Sequence, residues 1–186
     1  MVIGGLLTAC GSQQTASGTR VLLIGDSLLT HSRDAVEKVL VHDHWDPREA
    51  ALPGTSIEAW ATPTASLVAN AKPDVVVVEL GTNDCIFKHC RDLAGSIDAL
   101  MRNIGSVDLV LWLNVQRAPS HPEFSGEVNA AINAAADRWS NLSVVDLAST
   151  FDGHPEWHIP DGLHFNPQGQ YQLALLIADA LRPYHP

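Results

Sequence analysis

The sequence predicts an α/β fold, a three-layer α/β/α sandwich around a central, mostly parallel sheet of five strands. Short apolar runs rich in Val, Ile and Leu alternate along the chain with longer segments of helical periodicity. The apolar runs are continuous rather than alternating, which is typical of strands that are buried on both faces. Strands that alternate with helices pair in parallel, and their helices cover both faces of the sheet.

Five strands are expected, and two of them are the clearest because each is followed closely by a glycine. These two are Val21–Ile24 and Val75–Val78, which are almost purely aliphatic. Two further apolar runs, Leu109–Leu113 and Leu142–Leu147, predict two more strands. A weaker strand is expected around Arg48–Leu52.

Helical periodicity fills the segments between these strands. Pro73 and Gly105 stand in connections from a helix to the next strand, where residues that break helices belong. Asn166 followed by Pro167 is typical of a helix start. Proline has no backbone N–H, and the N–H groups of the first helical turn have no partner within the helix, so nothing is lost there. The predicted helices are Ser32–Val41, Ser56–Asn70, Leu93–Asn103, Ser125–Trp139 and Pro167–Leu181.

Length and charge exclude several classes of protein. The chain of 186 residues suits one domain, which we expect over 20–186 after a separate segment at 1–19. Lys and Arg total 11 against 21 Asp and Glu, a formal charge of −10, so there is no basic stripe for nucleic acid or an anionic membrane. No apolar run reaches the roughly 18 residues of a membrane-spanning helix. We expect a monomer that does not bind nucleic acid.

The first 19 residues have features of a leader and a tether. Leu7–Cys10 resembles a bacterial lipobox, in which Cys10 would be lipidated after cleavage, and Gly11–Thr19 contains only small and polar residues. This predicts an exported lipoprotein at the outer face of the bacterial cytoplasmic membrane. The alternative is a disordered cytosolic extension. The lack of Lys or Arg before Arg20 favours that alternative, because a signal peptide begins with positive charge.

Ser27, in Gly25-Asp26-Ser27-Leu28, is a candidate nucleophile. It follows a buried strand and precedes a helix, so backbone N–H groups and the helix dipole would favour negative charge beside it. The alternative for so short a motif is a turn or a helix cap. We interpret Asp26 as a structural acid that hydrogen-bonds the turn. No Gly-x-Ser-x-Gly occurs, which excludes the nucleophile elbow of α/β-hydrolases.

His164 and Asp161 are the candidate base and orienting acid. A serine hydroxyl needs a base within hydrogen-bond reach, and the base needs a partner on its other ring nitrogen. Asp161 stands three residues before His164, so one loop can supply both groups. For any single His in a chain with nine, the alternative is a solvated side chain or one with a structural hydrogen bond.

His154, Glu156 and His158 are close enough in the sequence to be considered as ligands of a metal ion. These residues lie in an irregular segment that contains Pro155, without the helical geometry of a His-Glu-x-x-His site. We therefore expect no metal and no cofactor, and place these side chains at the lip of the site or in solvent.

Four short motifs occur in a fixed order: Gly25–Leu28, Gly54, Gly81–Asp84 and Asp161–His164. In this order, and between these elements, they resemble the four blocks of the SGNH hydrolases, also called the GDSL esterase/lipase family. The resemblance extends from Arg20 to the C-terminus. It implies a flavodoxin-like sheet and ester hydrolysis through an acyl-enzyme.

The resemblance assigns roles to individual residues. Ser27 would be acylated, with His164 as its base and Asp161 as the acid that orients the base. The backbone N–H groups of Ser27 and Gly54 and the side-chain amide of Asn83 would form the oxyanion hole. Glycine at position 54 would let the backbone approach the substrate closely, although a plain turn is the alternative. We expect Asp84 to brace the loop beside Asn83.

Substrate choice is expected in two loops, Cys85–Arg91 and Gln116–Ser125, with Arg117 and Trp157 as candidate substrate-binding residues. If the chain is exported, Cys85 and Cys90 could close a small disulfide loop. Two reduced thiols are the alternative.

We expect a serine esterase that acts on short acyl esters, such as O-acetyl esters of a cell-envelope glycan. The alternatives are an O-acyltransferase of the same fold, a lysophospholipase or thioesterase, and an inactive glycan-binding module.

Overall fold

A parallel sheet of five strands forms the centre of the protein. The computed structural model describes residues 18–84, 91–117 and 124–184. The strands follow the order β2-β1-β3-β4-β5, and every neighbouring pair is parallel. This arrangement confirms the predicted fold class. The strands are β1 (Thr19–Gly25), β2 (Trp45–Ala51), β3 (Val75–Glu79), β4 (Leu109–Leu113) and β5 (Leu142–Val145).

Helices connect the strands, as the alternating pattern predicts. Two turns of 3₁₀-helix, Pro155–Trp157 and Arg182–Tyr184, stand beside the longer elements. The described α-helices with complete bounds are α1 (Ser27–His42), α2 (Ile57–Ala71), α3 (Leu93–Ile104), α4 (Phe124–Ala136), α5 (Leu147–Phe151) and α6 (Pro167–Leu181).

Each face of the sheet carries its own apolar core, because successive strand side chains point to opposite faces. Val21 and Leu23 pack with α1 and α6 on one side. Leu22 and Ile24 pack with residues of α2, α3 and α4 on the other side. These four side chains of β1 are almost completely buried, as expected for a central strand between two helical layers.

The strand order places a crevice between β1 and β3. The chain leaves β1 towards β2 at one side of the sheet, whereas it leaves β3 towards β4 at the other side. In open α/β sheets of this order, ligands bind at such a switch point, beyond the carboxyl ends of the strands. Gly25 ends β1 and Glu79 ends β3, and the two are paired in register. Both Ser27 and Asn83 follow directly on this edge.

Among the element boundaries that differ from the prediction, two are shifted by an aspartate that caps a helix. The first helix begins at Ser27 rather than Ser32, because the Asp26 carboxylate accepts the N–H of Leu28 at 3.0 Å. The last strand ends at Val145 rather than Leu147, because Asp146 accepts the N–H of Ser149 at 3.1 Å and so starts α5.

None of the helices within the described ranges is long and apolar enough to cross a membrane. The predicted lipidation site, Cys10, lies outside the described residues, as does the rest of segment 1–17. The domain division at residue 20 and the anchor therefore stay predictions.

Candidate active site

The structure brings Ser27, His164 and Asp161 into one hydrogen-bonded line. The Ser27 Oγ atom lies 2.9 Å from Nε2 of His164. The other ring nitrogen of His164, Nδ1, lies 2.7 Å from Oδ2 of Asp161. The serine is 137 positions from the histidine in the chain, so tertiary folding alone creates this contact. The His31 ring from α1 packs against the His164 ring, with centroids 5.1 Å apart.

A tight loop holds Asp161 and His164. Oδ1 of Asp161 accepts the backbone N–H groups of Leu163 and His164, both at 2.9 Å. The loop is closed by an N–H···O bond from Ile159 to His164, also at 2.9 Å, beside an antiparallel bridge between His158 and Phe165. The aspartate therefore fixes the backbone of the loop and the imidazole at the same time.

Hydrogen bonding keeps Asp161 ionised. Partial desolvation raises the pKa of this carboxyl, but the bonds from the His164 ring and from the N–H groups of Leu163 and His164 outweigh it and lower the pKa to about 2. The group is a carboxylate at any ordinary working pH. It can therefore stabilise an imidazolium at His164.

The N-terminus of α1 leaves one N–H available beside the serine hydroxyl. The N–H of Leu28 is bound by Asp26 at 3.0 Å, and that of Leu29 by Glu79 at 3.3 Å. The N–H of Ser27 has no acceptor within the described part of the chain. Ser27 itself is 8% exposed, so this donor stands in a largely water-excluded position, where a hydrogen bond to an oxyanion is strongest.

Asn83 lies next to the same turn. Its Nδ2 atom donates a hydrogen bond to Oδ2 of Asp26 at 2.8 Å, and the side chain is buried. Since an amide has two N–H bonds, the second can serve a substrate oxygen. Gly81, two residues earlier, has φ of +129°, and a Cβ there would lie 2.7 Å from Val128 and 2.8 Å from Val115. Both the backbone conformation and the lack of space for a Cβ therefore require glycine at position 81, in the turn that leads to Asn83.

Gly54 is in the loop after β2, and the N–H of Leu52 binds the carbonyl of Gly25 at 3.1 Å, which ties this loop to the end of β1. The φ of Gly54 is +74°, and a Cβ there would meet no protein atom within 4 Å. The predicted close approach of this backbone to a substrate stays a prediction. Backbone conformation, rather than close packing within the protein, requires glycine here. Its role as an oxyanion donor stays a prediction.

Asp84 links the Gly81–Asp84 motif to the segment that follows Gly54. Both carboxylate oxygens of Asp84 accept the N–H of Ile57, each at 3.1 Å. Asp84 therefore braces the start of α2, which follows the Gly54 loop. The predicted bracing role is present, although its target is this neighbouring segment.

With this geometry in place, comparison with known proteins identifies the family. Residues 23–172 match the model of the GDSL-like lipase/acylhydrolase family. The chain belongs to this family. The match spans all four motifs and confirms the resemblance that they indicate.

Solved structures show the same fold. The lipase/acylhydrolase of Enterococcus faecalis superposes with a TM-score of 0.76 at 22% identity, covering 90% of this chain and 97% of that one. The catalytic domain of peptidoglycan O-acetyltransferase A of Streptococcus pneumoniae gives 0.73 at 18% identity, covering 91% and 97%. A carbohydrate esterase family 3 protein of Talaromyces cellulolyticus gives 0.72 at 19% identity, covering 89% and 97%.

Among curated proteins, the O-acetyltransferase OatA of Staphylococcus aureus is 32% identical over 113 residues, which is 61% of this chain and 17% of that protein. The chain therefore matches less than a fifth of this much longer relative.

Two polar residues of this GDSL-family site were not predicted from the sequence. Gln116 is 5% exposed, and its amide donates to the Leu163 carbonyl at 2.7 Å while its oxygen lies 2.9 Å from Nε2 of His158. Gln116 thus supports the loop of His164 from the end of β4. Glu79 is the second, buried against the N-terminus of α1, where it accepts the N–H groups of Asp26 and Leu29. Its only sequence signal is an acidic residue between Val78 and Leu80 in an otherwise aliphatic run.

The three residues weighed as metal ligands are engaged with their neighbours. Nδ1 of His154 lies 2.8 Å from Glu156, and the His154 ring stacks on Trp157 at 3.7 Å. Nδ1 of His158 lies 3.0 Å from the carbonyl of His154. Within the described ranges, no group of three potential ligands is placed to hold a metal ion.

A cleft of about 470 Å³ lies beside the loop of His164. Arg117 lines it together with Gln116, His158 and Gly162, so this predicted substrate-binding residue does face a cavity next to the site. Trp157 is placed differently: one face of its indole is covered by His154, and its edge meets Phe151 with centroids 5.3 Å apart.

Substrate-binding roles for Arg117 and Trp157 stay predictions. Cys85 and Cys90 lie outside the described residues, so the disulfide also stays a prediction.

Proposed function

We propose that this chain is a serine esterase that removes short acyl groups, such as O-acetyl, from a cell-envelope glycan. The observation that carries the proposal is the line from Ser27 Oγ through the His164 ring to Asp161, with distances of 2.9 Å and 2.7 Å. A nucleophile, a base and an orienting acid in hydrogen-bond contact are the constellation that acyl transfer needs.

In the proposed first half-reaction, Ser27 Oγ attacks the ester carbonyl carbon and passes its proton to Nε2 of His164. The imidazolium is stabilised by the Asp161 carboxylate, and the oxyanion by the N–H of Ser27 and the amide of Asn83. The C–O bond of the ester then breaks as the leaving alcohol takes the proton from His164. In the second half-reaction, water attacks the acyl carbon while His164 takes its proton. The bond to Ser27 Oγ then breaks, Oγ regains the proton from His164, and the carboxylic acid leaves.

The accessibility of the site supports water as the acceptor. The His164 side chain is 25% exposed and that of Asp161 44% exposed, so solvent reaches the base directly. An enzyme that transfers an acyl group to a sugar must keep water from the acyl-enzyme.

The similarity to O-acetyltransferases supports a glycan substrate and favours a second candidate, acetyl transfer onto a glycan hydroxyl. OatA of S. aureus carries that name, and the S. pneumoniae domain is titled a peptidoglycan O-acetyltransferase. An enzyme that acts on such a polymer would be exported, in line with the proposed lipid anchor at Cys10. The partner would then be acylated glycan.

The reaction is tested with the purified chain, p-nitrophenyl acetate and an acceptor glycan such as a chito-oligosaccharide. The esterase proposal predicts release of free acetate at a rate that the acceptor does not change. A shift of product from acetate to acetylated sugar would replace it by the transferase. If the chain shows no turnover and a fluorophosphonate does not label Ser27, the result would support the inactive binding module.

Replacement of Asn83 by alanine is expected to lower kcat by about 10²- to 10³-fold with a smaller change in KM, because an oxyanion donor acts mainly in the transition state. Steady-state kinetics on p-nitrophenyl acetate measure both constants. Asn70→Ala, on the exposed surface of α2, is the matched control and should behave as the parent. An unchanged kcat in Asn83→Ala would remove this amide from the oxyanion site.

A further inference from the structure

Two carboxyl groups are buried next to each other at the N-terminus of α1, the helix that begins with the candidate nucleophile. Asp26 is 0% exposed and Glu79 is 4% exposed. Their side chains lie within hydrogen-bonding reach of each other, between the start of α1 and the end of β3. The reaction steps proposed above use neither group.

The two carboxyl groups accept hydrogen bonds from three backbone N–H groups and one side-chain amide. Oε2 of Glu79 accepts the N–H groups of Asp26 at 3.4 Å and Leu29 at 3.3 Å. Asp26 accepts the N–H of Leu28 through Oδ1 and the amide of Asn83 through Oδ2, at 3.0 Å and 2.8 Å. Both Asp26 oxygens are therefore occupied as acceptors.

Two adjacent buried carboxyl groups cannot both be ionised, because desolvation and mutual repulsion oppose the second charge. Burial, followed by the charge of Asp26, raises the pKa of Glu79 well above its usual range. Burial also raises the pKa of Asp26, to about 6, while the N–H of Leu28, the bond from Glu79, the nearby His164 and the Asn83 amide oppose this rise. The geometry favours the proton on Glu79, because both Asp26 oxygens accept N–H groups whereas only Oε2 of Glu79 does.

We propose that Glu79 is a positioning residue: its neutral carboxyl donates a hydrogen bond to the Asp26 carboxylate and so fixes the N-terminus of α1 and the Asn83 amide for the oxyanion. The role assigned to the oxyanion donors rests on the proposed function. The pair engages the N–H groups of Asp26, Leu28 and Leu29 and leaves that of Ser27 free for substrate.

The same chemical change, carboxyl to carboxamide, should have opposite consequences at the two positions. In Glu79→Gln, the amide donates to Asp26 in place of the O–H, and its oxygen still accepts the backbone N–H groups. In Asp26→Asn, an NH₂ must face either Leu28 N–H or the Asn83 amide, so one donor meets another. We expect kcat within about threefold of the parent for Glu79→Gln and about 10- to 100-fold lower for Asp26→Asn.

Glu79→Leu removes the bond without replacing it and should lower kcat by about 10- to 100-fold, with KM changed less. Recovery of that loss in Glu79→Gln separates a hydrogen-bonding role from simple filling of space. The proposal is overturned if Asp26→Asn keeps the parent kcat while Glu79→Gln loses it, since the proton would then belong to Asp26.

The protonation state is read without any substrate by following the carboxyl ¹³C resonances of the two side chains from pH 4 to 9. We expect Asp26 to titrate near 6 and Glu79 to stay protonated well above the ordinary value of about 4.3 for glutamate. Titration of both carboxyls near 4 would overturn the proposal. This measurement uses the parent protein, so it decides the question even if the variants fold poorly.

Thermal unfolding provides an independent check. Above pH of about 4.3 an unfolded Glu79 releases its proton while the folded one keeps it, so the folded state loses stability as pH rises towards the folded pKa. Glu79→Gln lacks this loss. The Tm advantage of Glu79→Gln over the parent should therefore grow by about 3 °C or more between pH 5 and pH 8.

An advantage of Glu79→Gln that stays constant with pH would contradict a proton held by Glu79. These readouts also separate the two proposals. If the parent shows no turnover, the esterase proposal fails, whereas the ¹³C and Tm profiles still decide the state of the pair.

Discussion

Replacement of Ser27 by alanine is expected to lower kcat on p-nitrophenyl acetate by about 10⁴- to 10⁶-fold and to abolish labelling by a fluorophosphonate. The hydroxyl is the only group of Ser27 that the substitution removes, and it lies 2.9 Å from Nε2 of His164. Without it the imidazole has no nucleophile to activate, and the acyl-enzyme cannot form. The backbone N–H at position 27 and the Asn83 amide remain, so any residual hydrolysis would come from the oxyanion donors.

Ser32→Ala is the matched control, because Ser32 lies in the same helix and is also buried. Its hydroxyl donates to the Leu28 carbonyl at 2.7 Å and faces no group of the site. The control should keep the kcat of the parent. A Ser27→Ala enzyme within tenfold of the parent would show that another residue carries the acyl group, and the esterase mechanism would be wrong.

Asp161→Asn is expected to lower kcat by about 10³- to 10⁴-fold although it changes the shape of the site little. Oδ1 of Asp161 accepts the N–H groups of Leu163 and His164, so the oxygen of an asparagine would keep that position. Its NH₂ would then face Nδ1 of His164 and force the proton of the ring onto Nε2. In that tautomer the ring cannot accept the proton of Ser27.

Kinetics and structure together check this explanation. The Asp161→Asn variant should fold, keep KM near the parent value and place the proton of the neutral ring on Nε2, which ¹⁵N resonances of the imidazole report. Asp152→Asn, an exposed acid in the same region, is the control and should leave kcat unchanged. Full activity in Asp161→Asn would show that His164 does not depend on this carboxylate.

Much of the fold follows from local pattern. The run Leu109–Leu113 and the helix Pro167–Leu181 have the predicted bounds, because an aliphatic run and an Asn-Pro helix start are signals that neighbours in the chain supply. The start of α1 could not be placed from periodicity. It depends on the Asp26 side chain, whose cap extends the helix back to Ser27.

The buried polar partners were less accessible to sequence analysis. Gln116 and Glu79 are ordinary polar residues in the chain, and their importance comes from residues that are distant in sequence. Gln116 reaches Leu163 across 47 positions, and Glu79 reaches Leu29 across 50. Nothing near either residue in the sequence indicates such a partner. Trp157 shows the converse, since a residue close to the site in sequence packs against its own neighbours.

The family, the parallel sheet and the identity of the groups that meet at its edge can be read from the chain, because apolar periodicity and short motifs are local properties. The protonation state of each carboxyl, in contrast, depends on how the chain folds. Asp161 is held ionised in a partly exposed loop by three N–H donors, whereas Asp26 and Glu79 share a buried site where one proton must stay. Burial and partners set the charge of a carboxyl, and the chain acquires both only when distant segments pack together.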